Sequence, residues 1–417
     1  MPLRGKLQLP GDKSISHRAL VLAALAEGTS CFKNLSSGLD VRSTLHCLRS
    51  LGVEIKLHQT LAHVKGVGLW GLKSPTRALD CGNSGTTLRF LAGLLSHSSF
   101  QSTLIGDESL SKRPMRRVAD PLRAMGANWE LRDENFAPIL IKPSRLQGTS
   151  LRLDIPSAQV KSALLLASLG IEGQNRLFGQ LQSRDHTERL LAHLGAKIKI
   201  ESDQISLEGG HRLEAQTLFI PGDLSSASFW ITAATLIPGS ELLLEDVSLN
   251  PSRLHFIHTL RKMGAWIEIL EQSSAIEPFG TIRIRSAQLQ ACSIGPEDIP
   301  ALIDEIPALA MAFTQAHGLS EVTGAAELRY KESNRLQAIA LNLESMGVRV
   351  DRSENGFRIQ GPQPLQGSRI QTFGDHRIAM AFTIASLIAK GPTYLDNTRC
   401  VAVSYPQFFE DLEQLTS

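Results

Sequence analysis

At 417 residues, with 42% hydrophobic and 20% charged side chains, the chain has an ordinary globular composition and is long enough for two cores of about 200 residues. A net charge of +2 is too balanced to point to nucleic acid, no apolar run approaches the ~20 residues of a membrane span, and the opening MPLRGKLQLPGDKS lacks a signal-peptide core. Cys31, Cys47, Cys81, Cys292 and Cys400 are odd in number and widely spaced without a CxxC pair, which argues against disulfides or a zinc site and for a reducing, cytoplasmic setting.

The chain opens with a strand over residues 1–10, closed by Pro10, Gly11 and Asp12. SISHRALVLAALAEG follows, apolar almost all round, and a helix without a polar face must be buried. An amphipathic helix then ends at LRSLGVEIKL, where Gly52 takes the position after the helix that needs a left-handed residue and a strand begins. The same two helices return in order. SGTTLRFLAGLLSH precedes LRAMGANWEL (Gly126), SAQVKSALLLASLG precedes LAHLGAKIKI (Gly195), and LSSASFWITAATLIPG precedes LRKMGAWIEI (Gly264). EIPALAMAFTQAHG precedes LESMGVRV (Gly347), and DHRIAMAFTIASLIAKG precedes YPQFFEDLEQL, where the chain ends before its strand. The glycines recur every 69 to 83 residues, so the chain is a tandem repeat of α/β units: strand, buried helix, strand, covering helix, strand, strand.

The six units divide three and three. Pro-Gly-Asp stands before the first buried helix and again, as Pro221, Gly222 and Asp223, before the fourth. Placing the crossings there gives one domain over residues 11–222 and a discontinuous second domain of residues 1–10 and 223–417, with strand 1–10 pairing into the C-terminal half.

Cations and hydroxyls collect where the buried helices begin. Lys13, Ser14 and Arg18 stand at the first start, and a helix N-terminus with added positive charge favours an anion. Gly82, Asn83, Ser84 and Gly85 form a small-residue loop at the second; it lacks the GK[ST] of a P-loop. Ser157 and Gln159 stand at the third. The basic run Lys112 to Arg117, which includes Arg113, reads by itself as a solvated face, and Ser183 and Arg184 add a further cationic loop. In the other half carboxylates join in. Asp304 and Glu305 precede a buried helix, and Asp375, His376 and Arg377 open the last. Lys331, Glu332 and Arg335 open a covering helix on which Lys331 and Arg335, four apart, share a face. A carboxylate among such cations suits proton acceptance near neutral pH, and the whole suits a cleft enzyme for polyanionic small molecules.

PGDKSISHRALVLAALAEG, GNSGTTLR, GDESLSKRPM, SAQVKSALLLA, SRDHTE, GDLSSASF, IDEIPALA, KESNRL and GDHRIAMA, in this order and across the whole chain, resemble the 5-enolpyruvylshikimate-3-phosphate synthase family. The resemblance implies an α/β fold of two domains forming an inside-out prism, each of three βαβαββ units around buried parallel helices. It implies transfer of the enolpyruvyl group of phosphoenolpyruvate to the 5-hydroxyl of shikimate 3-phosphate, by addition and elimination, with neither metal nor organic cofactor. Carried over by motif, Lys13, Ser14 and Arg18 contact shikimate 3-phosphate, as do Ser157, Gln159, Ser183 and Arg184. Gly85, Arg113, Arg335 and Arg377 contact phosphoenolpyruvate, with Lys13 reaching both substrates, and Asn83 is a further substrate-binding residue. Asp304 is the expected base, Lys331 a further contact, and Glu332 the expected proton carrier at C3, helped by Lys13 and His376. The resemblance also implies a glyphosate target acting as a monomer in the cytoplasm.

Two positions depart from the family's pattern: Val403 stands where many members carry Lys, with Arg399 nearby, and Phe90 stands where Pro or a small residue is frequent. Three rivals fit less well. The sister enzyme acting on UDP-N-acetylglucosamine usually carries a Cys in the loop that here spans Gly106 to Met115 and has none. An RNA 3′-phosphate cyclase needs a nucleotidylated His and a basic surface, and a plain anion-binding protein has no use for both Asp304 and Glu332.

Overall fold

The computed structural model describes residues 1–148 and 150–416; Thr149 and Ser417, the last residue of the expected second domain, lie outside it. The chain forms two compact units, Lys13–Ile220 and Met1–Asp12 with Pro221–Ser417. Each has its own apolar core. The limits fall two residues inside the expected 11–222 at either end, because the two Pro-Gly-Asp segments pair with each other. Gly11 bridges Gly222, Asp12 N–H donates to Pro221 O at 2.7 Å, and Asp223 N–H donates to Pro10 O at 3.0 Å. Gly222 also bridges Val247, which ties both segments to the discontinuous unit.

In the Lys13–Ile220 unit the buried helices are Lys13–Leu25, Gly85–Leu95 and Ala158–Ser168. The covering helices are Leu39–Ser50, Arg116–Ala124 and His186–His193. In the other unit the buried helices are Leu224–Leu236, Ile306–Gln315 and His376–Ser386, covered by His255–Lys262, Arg335–Ser345 and Phe408–Thr416. Every residue from Ile15 to Leu25 and from Leu224 to Thr235 is buried, as helices with no polar face require. Hydroxyls inside them turn back on their own backbone: Thr232 and Thr235 each donate at 2.8 Å to the carbonyl four residues earlier.

Among the described residues, five four-stranded sheets of one design lie around these helices, each a parallel pair extended by an antiparallel hairpin. Gly173–Gly179 pairs parallel with Ser150–Leu153 and antiparallel with Gln204–Gly209, which pairs in turn with Lys197–Ile200. Two sheets borrow their edge strand from far along the chain. Arg4–Gln8 joins Glu241–Ser248, and Thr217–Phe219 joins Thr29–Lys33, both parallel. Among the described residues the sixth unit has only the parallel pair Arg369–Ile370 and Tyr394–Leu395 before its covering helix.

The five expected glycines end their helices in one geometry. Gly52, Gly126, Gly195, Gly264 and Gly347 all have φ between 84° and 100°. In each case the glycine N–H and the next residue's N–H return to carbonyls of the last turn; Gly52 donates to Arg49 O at 3.0 Å and Val53 to Leu48 O at 3.1 Å. The repeated Gly therefore sets where every hairpin leaves its helix.

Candidate active site

In the Lys13–Ile220 unit, hydrogen bonds join the starts of the three buried helices. Ser84 caps the second by accepting from Thr87 N–H at 3.1 Å, and Ser157 caps the third by accepting from Val160 N–H at 3.4 Å. Gln159 donates to Thr86 Oγ1 at 2.9 Å, joining third start to second. Arg18, only 3% exposed, donates to Thr187 Oγ1 at 2.7 Å, Ser162 Oγ at 3.0 Å and Ser14 O at 2.9 Å, joining first to third. Arg184 donates to Ser14 Oγ at 3.2 Å. A hydroxyl chain closes the set: His17 Nδ1 lies 2.7 Å from Thr44 Oγ1, which lies 2.7 Å from Thr87 Oγ1. Burial, then Lys13 and Arg18, press the His17 pKa well below its ordinary value, so the ring is neutral here.

The remaining expected residues of this unit join the same ends. Lys13 Nζ pairs with Asp40 Oδ2 at 2.9 Å. Arg113 donates to Asn83 Oδ1 at 2.8 Å, and Asn83 in turn to Asp107 Oδ2 at 2.7 Å. Arg113 is buried whereas Lys112 and Arg116 are exposed, so the basic run is no uniform solvated face. A methyl added to Gly85 would lie 2.6 Å from Arg89 Nη1, so that flexible guanidinium would have to give way, and 3.4 Å from Arg113 Nη1. Ser183 offers its carbonyl to the buried Lys161 Nζ at 3.4 Å. Phe90 is fully buried, with the Arg18 guanidinium carbon 4.8 Å from its ring centroid.

In the discontinuous unit the expected residues form a second cluster. Asp304 lies in the break between the short helix Ile299–Leu302 and the buried helix Ile306–Gln315. Lys331 Nζ and Arg335 Nη1 both donate to its Oδ1 at 3.3 Å, and Arg377 donates to its carbonyl at 2.9 Å. Arg335 also donates to Glu332 Oε2 at 2.5 Å and to Asp375 Oδ2 at 2.8 Å. Burial works against its charge, but Asp375, Glu332 and Asp304 together raise the Arg335 pKa above its ordinary value. Asp375 is likewise buried, and Arg335 holds its carboxyl below the usual range. His376 is 1% exposed, its Nδ1 4.0 Å from Asp375 Oδ1.

One expectation is corrected. Lys331 and Arg335 do not share a helix face, because the helix starts only at Arg335, where Asn334 caps it by accepting from Gln337 N–H at 3.3 Å. Lys331 ends the preceding 3₁₀ turn, Ala326–Tyr330, and the two cations meet on Asp304 instead. Asp40, partner of Lys13, and Arg89, which donates to Gln159 Oε1 at 2.6 Å, went unrecognised, and Asp375, named at the last helix start, was not read as the partner of Arg335. Arg89 lies inside the quoted GNSGTTLR, so a signal was present; the other two pair across 27 and 40 residues. Val403 ends the 3₁₀ turn Arg399–Val403, partly buried, with Arg399 exposed at its start. Among the described residues no group of three or more His, Cys, Asp or Glu side chains could hold a metal ion, and no helix is long and apolar enough to cross a membrane.

Known proteins resemble this arrangement over its whole length. The family model described as EPSP synthase (3-phosphoshikimate 1-carboxyvinyltransferase) matches residues 1–412. A 3-phosphoshikimate 1-carboxyvinyltransferase of Bacillus licheniformis is 44% identical over 416 residues, 99% of this chain and 97% of the relative. One of Synechococcus sp. (strain JA-3-3Ab) is 47% identical, covering 99% and 94%. Among solved structures, an EPSP synthase from Acinetobacter baumannii superimposes with TM-score 0.88 at 40% identity, covering 99% of this chain and 96% of that one. The enolpyruvyl transferase NikO from Streptomyces tendae shares the fold at TM-score 0.81 and 18% identity, covering 100% and 95%. The chain therefore belongs to the EPSP synthase (3-phosphoshikimate 1-carboxyvinyltransferase) family.

Proposed function

We propose that this chain transfers the enolpyruvyl group of phosphoenolpyruvate to the 5-hydroxyl of shikimate 3-phosphate, releasing phosphate. The observation that carries the reading is Asp304, a carboxylate 15% exposed and faced by Lys331, Arg335 and Arg377. Phosphate and carboxylate groups match the planar donor forks of arginine, and two of those three cations are arginines.

In this reading Lys13, Ser14, Arg18, Ser157, Gln159, Ser183 and Arg184 bind shikimate 3-phosphate. Gly85, Arg113, Arg335 and Arg377 bind phosphoenolpyruvate, and Asn83 and Lys331 are further contacts. Asp304 takes the 5-hydroxyl proton as that oxygen adds to C2 of phosphoenolpyruvate, while C3 gains a proton carried by Glu332 with Lys13 and His376 assisting. The product of this step is a tetrahedral ketal. Loss of one C3 proton and cleavage of the C2–O bond to phosphate restore the double bond and release phosphate. Each proton transfer of this kind is worth roughly 10²–10⁴-fold in rate. The enzyme works as a monomer in the cytoplasm.

Asp304→Ala tests the assignment. Phosphate release should fall by at least about 10²-fold with the melting temperature within a few degrees of the parent. Retained turnover would remove Asp304 from the chemistry.

A further inference from the structure

Adjacent in sequence, Asp304 and Glu305 are placed differently. Asp304 meets the cations described above, whereas Glu305 is 2% exposed, at the start of helix Ile306–Gln315, and makes no capping bond to that helix. Its Oε1 instead accepts from Ser225 Oγ at 2.5 Å and pairs with Arg253 Nη2 at 3.2 Å. Arg253, 3% exposed, donates to Ser225 Oγ as well. Ser225 belongs to the first turn of helix Leu224–Leu236. Arg253 ends the 3₁₀ turn Pro251–Arg253, which Asn250 caps by accepting from Ser252 N–H at 2.9 Å. One carboxylate thus ties three separate segments together next to Asp304.

A buried ion pair adds little stability over well-packed apolar residues of similar volume, so stability alone gives no reason for this one. Fixed geometry does. Asp304 sits in a break between two helices, where its own backbone gives the side chain no regular support. The peptide it shares with Glu305 is held at its carbonyl by Arg377, and directly after that peptide the Glu305 side chain is anchored to Ser225 and Arg253. A displacement of about 1 Å at a reacting group can cost ~10²-fold in rate.

We infer that Glu305, Arg253 and Ser225 are positioning residues that fix the direction of the Asp304 carboxylate. The inference rests on Asp304 as the base, and the experiment separates the two. Parent enzyme and Asp304→Ala are assayed first by phosphate release from shikimate 3-phosphate and phosphoenolpyruvate; those two results alone decide the underlying reading. In Glu305→Gln, kcat should drop roughly 10- to 100-fold while both KM values stay within about threefold.

That variant strands the Arg253 charge and can fold poorly, so the charge-free pair Arg253→Met with Glu305→Leu is measured beside it. Its melting temperature should return close to that of the parent, with kcat still reduced at least about tenfold. Ser225→Ala removes two hydrogen bonds and no charge, and should lower kcat roughly 3- to 10-fold. Parent kcat in the double variant overturns the inference. If the double variant does not fold, parent kcat in Ser225→Ala does so.

Discussion

The guanidinium of Arg18 lies over the ring of Phe90, 4.8 Å from its centroid, and Phe90 is fully buried. The residue that departs from the family's pattern behind the small-residue loop thus supports the cation proposed to hold shikimate 3-phosphate. Phe90→Leu keeps most of the volume and removes the cation–π contact, worth about 0.5–2 kcal/mol. The KM for shikimate 3-phosphate should rise roughly 2- to 30-fold with kcat little altered, as steady-state kinetics would read.

Gly85→Ala places a methyl 2.6 Å from Arg89 Nη1 and 3.4 Å from Arg113 Nη1. Both atoms end flexible side chains, so the fold adjusts, but the Arg89 guanidinium must give way and the methyl comes into contact with Arg113, proposed to meet phosphoenolpyruvate. The expected outcome is a raised KM for phosphoenolpyruvate and weaker inhibition by glyphosate, while the parent is inhibited by micromolar glyphosate at low phosphoenolpyruvate. A parent fully active under those conditions would contradict the assignment.

Lys161 Nζ and Glu188 Oε1 pair at 2.6 Å, each about 2% exposed, and Lys161 also donates to Leu181 O at 3.1 Å. Lys161→Met leaves the Glu188 charge buried without its partner, a loss of about 3–5 kcal/mol to the Lys13–Ile220 unit. Adding Glu188→Leu should recover most of it. Urea titration of the single and double variants checks this.

Acid should destabilise the same unit. Burial lowers the His97 pKa to about 4 and, with Lys13 and Arg18, presses that of His17 well down. Below the ordinary value of about 6.5 the unfolded chain takes up protons that the folded rings refuse. Stability is therefore full above about pH 6.5 and falls as pH drops toward 4, His97 contributing at most about 3 kcal/mol. Melting temperatures from pH 7.5 to 4.5 should decline, and the decline should be shallower in His97→Gln.

Much of the fold was legible because its signals are local. A glycine at φ of 84° to 100° after each of the first five covering helices is demanded by one turn of chain, and a buried helix shows itself by lacking any polar face. The site was legible where a motif lies in one helix start, as for Lys13, Ser14 and Arg18. It was not legible where partners are distant. Nothing near Asp375 marks Arg335 as its partner, and nothing near Glu305 marks Arg253. Lys331 was misplaced because its spacing from Arg335 matches a helix that Asn334 begins too late to include it.

The central claim is tested most directly by phosphate release from phosphoenolpyruvate, with shikimate 3-phosphate or UDP-N-acetylglucosamine as acceptor. Release with shikimate 3-phosphate alone is the predicted result. Release with UDP-N-acetylglucosamine, or with neither acceptor, would contradict it.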